Sequence, residues 1–462
     1  MTMWTPQIGS IEGPRYLALV SAIVKAIDSG QLPPGAQLPP QRELADRLGL
    51  TVGTISRAYS IVRERNLVSG EVGRGTFVSG PREPGTGSDA RPQPMPEGRR
   101  VDLACFRAPF PGLADPIASV LLDLAGRASL LHLDKYPPMA GFPTHRTAGA
   151  AWLAHAGLDV GPDSVIVTAG AQPALAAALA VLAPQGTTVL TESLTYSGMK
   201  VLASACNITL RGVTMDAQGM RPDALEEQCA IAGQKVLYVQ PALHNPTTRT
   251  MDDERRARII AIARRHDLHI IEDNAACSGV VARQAPVAAL APERTVHITS
   301  LSKSVSPALR IGFMTAPRPL VDALLAALHA VSMNPSTITA HAAAALISNG
   351  DAFRLAADNL KECARRHAIA VNRLSGFAIE SNPFAFYLLL GLPPRWRTEE
   401  FCSKAEGVTV VPVDSYAVAP DTVQPAVRVS LNAALDDEMF ERGLARLQAV
   451  LGSRPHLPVP VV

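Results

Sequence analysis

Residues 80–100, GPREPGTGSDARPQPMPEGRR, hold five prolines and four glycines and almost nothing apolar. Proline interrupts helices and inner strands, glycine is entropically costly to order, and no apolar side chain offsets that cost. Such a stretch is a linker. It divides the chain into a unit of residues 1–79 and one of residues 101–462, and excludes a single core running through both. Composition then says that each side can build a core: of 462 residues, 47% are hydrophobic and only 18% charged. No internal repeat is visible. A formal net charge of +2 excludes a broadly polybasic protein but leaves room for a local basic face.

Six cysteines, at 105, 206, 229, 277, 363 and 402, lie far apart without a C-x-x-C pair. They predict free thiols in a reducing cytosol, with neither a disulfide frame nor a metal site. The opening MTMWTPQIGSIEG has no basic start followed by an apolar run, so no signal peptide is expected. The strongest apolar run, ALAAALAVLA at 174–183, is about half a membrane span and lies between Pro173 and Pro184. It reads as a buried helix, and a cytoplasmic protein without a membrane partner is expected.

The first unit reads as three helices and a hairpin. Residues 16–27 place Tyr16, Leu19, Val20, Ile23 and Ile27 on one stripe, and 41–48 form a short amphipathic helix that Gly49 ends. Thr51 caps a third helix over 51–65, with Ile55, Ala58, Tyr59 and Val62 on its inner side. LVSGEVGRGTFV, 67–78, predicts two short strands around a glycine-rich turn. A short helix, a tight turn and a longer helix with polar residues near its start is the layout that brings a reading helix to a DNA major groove. Eight Lys/Arg against six Asp/Glu over residues 1–80 add weak electrostatic support.

The segment from Ile27 to Val78 closely resembles the winged helix-turn-helix domain of the GntR family of bacterial regulators. The shared elements are G-x-L-x-P-G, L-P-x-x-R-x-L-A, L-G, the A-Y of the third helix and G-x-G-T-F-V of the wing. The resemblance implies binding to double-stranded DNA, with Arg42 and the start of the third helix (Thr51 and Thr54) facing it. Two positions depart from the family: Pro40 stands where Ser usually precedes the second helix, and Thr51-Val52 replaces a Ser-Arg pair. The lost arginine removes a guanine or phosphate contact, for which Arg57 is the candidate substitute.

In the second unit, strand-like segments alternate with helical ones: 164–170, 187–193, 235–241, 268–273, 295–300 and 311–317. This pattern predicts an α/β fold with a mostly parallel sheet. Segments 385–392, 408–413 and 426–432 suggest a smaller α+β subdomain near the C-terminus.

Polar residues gather at the C-terminal ends of the predicted strands, the edge where such sheets bind ligands. They are Gly170-Ala171-Gln172, then His244-Asn245-Pro246-Thr247, then Asp273, then Ser300, Ser302 and Lys303, with Arg310 following. Singly each is weak, since a strand-end Asp is often a helix cap and Asn-Pro often a turn. Together they meet the needs of pyridoxal 5′-phosphate: an amine for a Schiff base, a carboxylate for the ring nitrogen, a donor for the phenolic oxygen, and several donors plus a cation for the phosphate. Lys303, Asp273, Asn245 and the set Gly170, Ala171, Ser300, Ser302 and Arg310 fill those roles in turn. Gln172 opens the phosphate-side helix, and the ring of Tyr196 can lie on the pyridine.

That order, N-P-T, then D at a strand end, then S-x-S-K-x-x-x-P-x-x-R-x-G, resembles the fold type I pyridoxal-phosphate enzymes of the aminotransferase group over residues 130–435. The resemblance implies that Lys303 forms the Schiff base and that Arg428, in VRVS, binds a substrate carboxylate. A winged helix joined by a linker to such a domain is similar to the MocR subgroup of GntR regulators. This implies a homodimer that senses a small amine, an amino acid or the cofactor itself.

Three features depart from the aminotransferase pattern. The tyrosine usually found shortly after the aspartate is missing from Asp273-Asn274-Ala275-Ala276. N-P-T-G reads Asn245-Pro246-Thr247-Thr248, and VDLACFRAPFPGL lacks a glycine before its proline. Cofactor binding is expected to survive and efficient transamination to suffer. The competing readings are an aminotransferase with a vestigial DNA-binding domain and a DNA-binding protein with a dead, cofactor-free large domain. The intact lysine and aspartate argue against the latter.

Overall fold

The computed structural model describes residues 15–33, 35–64, 68–71, 75–78, 100–106, 114–126, 134–231, 235–276, 284–419 and 423–454, with Trp4 and Pro6. The chain folds as two compact units, Met1–Thr86 and Gly87–Val462. The linker reading falls on 80–100, of which all but Arg100 lies outside the described residues, as does 107–113 of the VDLACFRAPFPGL segment.

In the first unit, α1 (Arg15–Asp28), α2 (Gln41–Leu48) and α3 (Val52–Glu64) meet around one core. Leu19, Val20 and Ile23 pack there against Leu44 and Ala45 and against Ile55, Ala58, Tyr59 and Val62. The helical stripes seen in the sequence are the buried faces. Gly49 closes α2 at φ 59°, with its N–H returning to the carbonyls of Ala45 and Asp46. Pro40, in contrast, gives α2 no side-chain cap, which is the physical consequence of the missing Ser. Tyr59 donates its buried hydroxyl to Pro39 O at 2.8 Å, fixing α3 to the turn before α2. The wing strands β2 (Val68–Glu71) and β3 (Gly75–Val78) pair antiparallel, and β1 (Gln37–Leu38) adds to β3. A two-residue strand has no alternation to read, so β1 is not legible in the sequence.

The second unit is built on a seven-stranded sheet. Its strands are β4 (Ile166–Thr168), β5 (Thr188–Glu192), β6 (Thr209–Val213), β7 (Val236–Val239), β8 (His269–Asp273), β9 (Thr295–Ser300) and β10 (Gly312–Thr315). The order is β4-β10-β9-β8-β7-β5-β6. Strands β5 to β9 pair in parallel, and only β10 runs antiparallel to its neighbours. Strand β7 is buried along its whole length, as a parallel strand covered on both faces should be. The Ala-rich run becomes α4 (Ala171–Leu182). Its small side chains let it pack closely on Ile271, Val296 and Ile298 of the sheet. Among the described residues, no helix is long and apolar enough to cross a membrane.

A second, antiparallel sheet holds β11 (Ile379–Ser381), β12 (Tyr387–Gly391), β13 (Val411–Pro412) and β14 (Ala426–Ser430), in the order β11-β12-β14-β13. It shares a separate core with the C-terminal helix Asp437–Gly452 through Leu388, Val427, Phe440 and Leu444. The 23-residue helix α5 (Asp351–Arg373) runs between the two sheets' cores: Leu355 packs with the first and Ala370 with the second.

Candidate functional site

The carboxyl ends of β4, β7, β8 and β9 converge on one pocket. Its lining includes Ala171, Gln172, Tyr196, Asn245, Asp273, Ser300, Ser302, Lys303 and Arg310, nine of the ten residues read from the sequence as cofactor ligands. The tenth, Gly170, sits directly behind: a Cβ added to it would come within 3.3 Å of Arg310 Nη2. Gly170 has φ 95° and forms the N-terminal cap of α4 without a side-chain bond, so the first N–H groups of that helix are left for an anion. Arg310 itself holds φ 52°, in the left-handed region that non-glycine residues rarely adopt. Gly312 explains the R-x-G spacing, because a Cβ there would lie 2.7 Å from Thr299 O and 2.8 Å from Thr168 Oγ1.

Asp273 is the last residue of β8 and is almost fully buried. Its Oδ2 accepts from Tyr238 Oη at 2.6 Å and from Gln240 Nε2 at 3.2 Å, and its Oδ1 accepts from the backbone N–H of Ala275 at 3.0 Å. A carboxylate has about four acceptor positions, so roughly one is left to face the pocket. Burial and the neighbouring Asp273 push the Tyr238 phenol well above its ordinary value, so that it stays a donor. Tyr238 and Gln240 were not found from the sequence, since the first lies within β7 and the second directly after it, in a segment that reads as core. Behind them lies Glu192, fully buried, whose Oε1 accepts from Gln240 N at 2.9 Å. Desolvation pushes its carboxyl up to about 7.

Asn245 accepts a bond from Arg428 Nη1 through its Oδ1 at 3.2 Å. Arginine can only donate, so this bond fixes the amide and leaves Nδ2 as the free donor end. His244 anchors the same loop. Its Nε2 donates to Leu194 O at 2.9 Å and its Nδ1 accepts from Thr247 Oγ1 at 2.8 Å. Complete burial lowers its pKa to about 3, so it is neutral here. Thr248, in the position of the family's glycine, takes φ 62°. That conformation costs a β-branched residue about 1–3 kcal/mol. The ring of Tyr196 rests over Gly198, where a Cβ would fall 2.6 Å from the tyrosine hydroxyl.

Where the missing tyrosine would stand, the pocket is lined by Ala275 and Ala276. Ser300 Oγ caps the short turn 301–304 by accepting from Ser302 N at 3.1 Å, which sets Lys303 on the pocket wall. From the other side Asn359 of α5 donates to Lys303 O at 2.8 Å and Ser304 O at 3.3 Å.

Arg428 lies on β14, with its guanidinium 5.3 Å from the Tyr387 ring centre and 5.4 Å from that of Tyr416. Besides Asn245 it donates to Ala104 O at 2.8 Å, and its Nε is buried without an acceptor. Among the described residues no carboxylate pairs with it. The donor set fits pyridoxal phosphate on its own chemistry. It comprises an amine, a carboxylate with one open lone pair, an amide donor, an uncapped helix start beside an arginine, and an aromatic ring.

In the first unit, Arg42 is exposed beside the start of α2. Thr51 stands directly before α3 and Thr54 in its first turn, with their hydroxyls 2.9 Å apart. Arg57 sits with its guanidinium 4.3 Å from the Tyr16 ring, an intramolecular cation–π contact.

This fold is that of a DNA-binding winged helix joined to a fold type I, pyridoxal-phosphate-dependent aminotransferase-like unit. Residues 15–78 match the family described as bacterial regulatory proteins of the gntR family, and residues 117–447 match aminotransferase class I and II. The chain belongs to the MocR subgroup of the GntR family of transcriptional regulators. It is 30% identical over 458 residues to the uncharacterized HTH-type transcriptional regulator YdeF of Bacillus subtilis, covering 97% of this chain and 96% of that one. It is 26% identical to the probable rhizopine catabolism regulatory protein MocR of Rhizobium meliloti, over 73% and 72% of the two chains. An archaeal alanine:glyoxylate aminotransferase superposes with a TM-score of 0.70 at 24% identity, over 76% of this chain and 91% of that one, and shares the fold.

Proposed function

We propose that this regulator is a cytoplasmic homodimer whose large unit holds pyridoxal phosphate and an amine bearing a carboxylate, and whose winged helix binds double-stranded DNA according to what the pocket contains. Bound there, the cofactor supplies an aldehyde that condenses with amines. Lys303 is the resident amine. Asp273 would pair with the ring nitrogen, Asn245 would offer its Nδ2 to the phenolic oxygen, and Tyr196 would offer an aromatic face to the ring. Ala171, Gln172, Ser300, Ser302 and Arg310 would hold the phosphate, with Gly170 giving the backbone room to do so.

The observation that carries the effector class is Arg428. A guanidinium with a buried unpartnered Nε, tied to Asn245 and without a carboxylate partner among the described residues, is poised for a carboxylate from outside. An amino acid can reach Lys303 and Arg428 together. Such an effector pulls on two sheets at once, and a coupling of ~1–3 kcal/mol between pocket and DNA site changes DNA affinity by roughly 5- to 150-fold. A dimer sets the spacing of two DNA half-sites. Turnover is slow in this reading, because Ala275 and Ala276 bring no hydroxyl to the phenolic oxygen.

The test is a spectral titration of cofactor-loaded protein with amino acids and with the matching amines that lack a carboxylate. Wild type should bind the amino acids more tightly, and Arg428→Gln should lose that preference while still taking up cofactor. Equal binding of both series by wild type would remove the effector class.

A further inference from the structure

We propose that Val52 makes the winged helix read thymine through its 5-methyl group. The inference rests on the DNA-binding reading and adds what one position recognises. Val52 is the first residue of α3, 45% exposed, and takes no part in the core formed by Ile55, Ala58, Tyr59 and Val62. Its isopropyl group stands at the leading end of the helix outside that core, where another molecule can reach it.

The polar groups around it are engaged with one another. Thr51 Oγ1 accepts from Thr54 N at 3.2 Å and lies 2.9 Å from Thr54 Oγ1. Arg57, one turn further on, stacks on Tyr16. Gly53 follows Val52 and adds no bulk: only Thr51 Oγ1, at 3.9 Å, lies near the place of its absent Cβ. The first turn of α3 therefore offers an apolar side chain on a surface that another molecule can approach closely.

The leading residues of a helix-turn-helix reading helix meet base edges in the major groove. There each base pair shows a different pattern, and thymine alone adds a methyl group. The valine side chain has no donor or acceptor, so it cannot read guanine O6 and N7. Apolar contact with the thymine methyl is the one specific interaction open to it. Burying one methyl group predicts roughly a fourfold change in affinity.

The experiment uses the full chain, saturated with pyridoxal phosphate. Duplexes are selected from a random pool, and the selected sequence is then remade with uracil replacing thymine at one position at a time, which removes only the methyl. One thymine per half-site should lose roughly fourfold in affinity on this change. In Val52→Ser that penalty should vanish, with the melting temperature unchanged because the side chain is exposed. Selected DNA with no uracil-sensitive position, or a penalty that persists in Val52→Ser, would overturn the proposal while leaving DNA binding intact. Failure to select any duplex, both with and without a mixture of amino acids added, would overturn the DNA-binding reading and this proposal with it.

Discussion

At the scale of single residues, the pocket depends on a buried polar chain as much as on its lysine. Tyr238 and Gln240 both hold Asp273 Oδ2. Tyr238→Phe removes one donor and leaves a buried carboxylate short of a bond, which should cost about 1–3 kcal/mol. The loss should appear both in the melting temperature and as faster release of the cofactor on dialysis. Glu192 adds a pH dependence. Its carboxyl is raised to about 7 by burial, so the folded state binds its proton more tightly than the unfolded chain does. The stability from this group is complete below the ordinary carboxylate range and is lost as pH rises through about 7. Glu192→Gln keeps the acceptor for Gln240 N and removes the titration. Denaturant melts should therefore find the variant more stable than wild type at pH 8, with the difference shrinking towards pH 5. Wild type and variant falling in parallel over that range would contradict this. These residues escaped the sequence reading for a common reason. Each sits in or just past a strand-like segment, and whether a polar group there is buried depends on partners from other strands.

Among elements, α5 connects the two functional groups of the large unit. Near its middle, Asn359 holds the carbonyls of Lys303 and Ser304. Further along the helix, the buried Arg366 donates to Leu431 O and Ala434 O, just beyond the strand that carries Arg428. Asn359→Leu keeps the volume but orphans two carbonyls, and should lower stability by about 1–3 kcal/mol. Its cofactor affinity should fall further than that of Arg365→Ala, which alters an exposed network on the same helix. The His244 loop is the acid-sensitive element. Burial depresses the His244 pKa to about 3, so its contribution is present above the ordinary histidine range and is lost as pH falls from there towards 3. The elements themselves were largely legible. Strands β4, β5, β7, β8, β9 and β10 lie within the segments that the alternation marked. Strand β6 was missed because TLRGV carries an arginine and a glycine at half-buried positions, which breaks both strand patterns.

For the whole molecule, the legible part of the site was the part defined by chain order. Asn245, Asp273 and Lys303 follow or close successive parallel strands, whose carboxyl ends share one edge of the sheet, and Arg310 precedes the antiparallel β10, whose start lies at that same edge. What the order could not give is which side chains from other strands hold them, or that Arg57 turns to Tyr16. The account stands on Lys303 as the amine that meets pyridoxal phosphate. Its most direct test is borohydride reduction of cofactor-supplemented protein, followed by peptide mass spectrometry. A phosphopyridoxyl group on the peptide carrying Lys303, absent when the substitution Lys303→Ala is made, is the predicted result. An unmodified Lys303 in fully supplemented protein, or a label distributed over surface lysines, would contradict it.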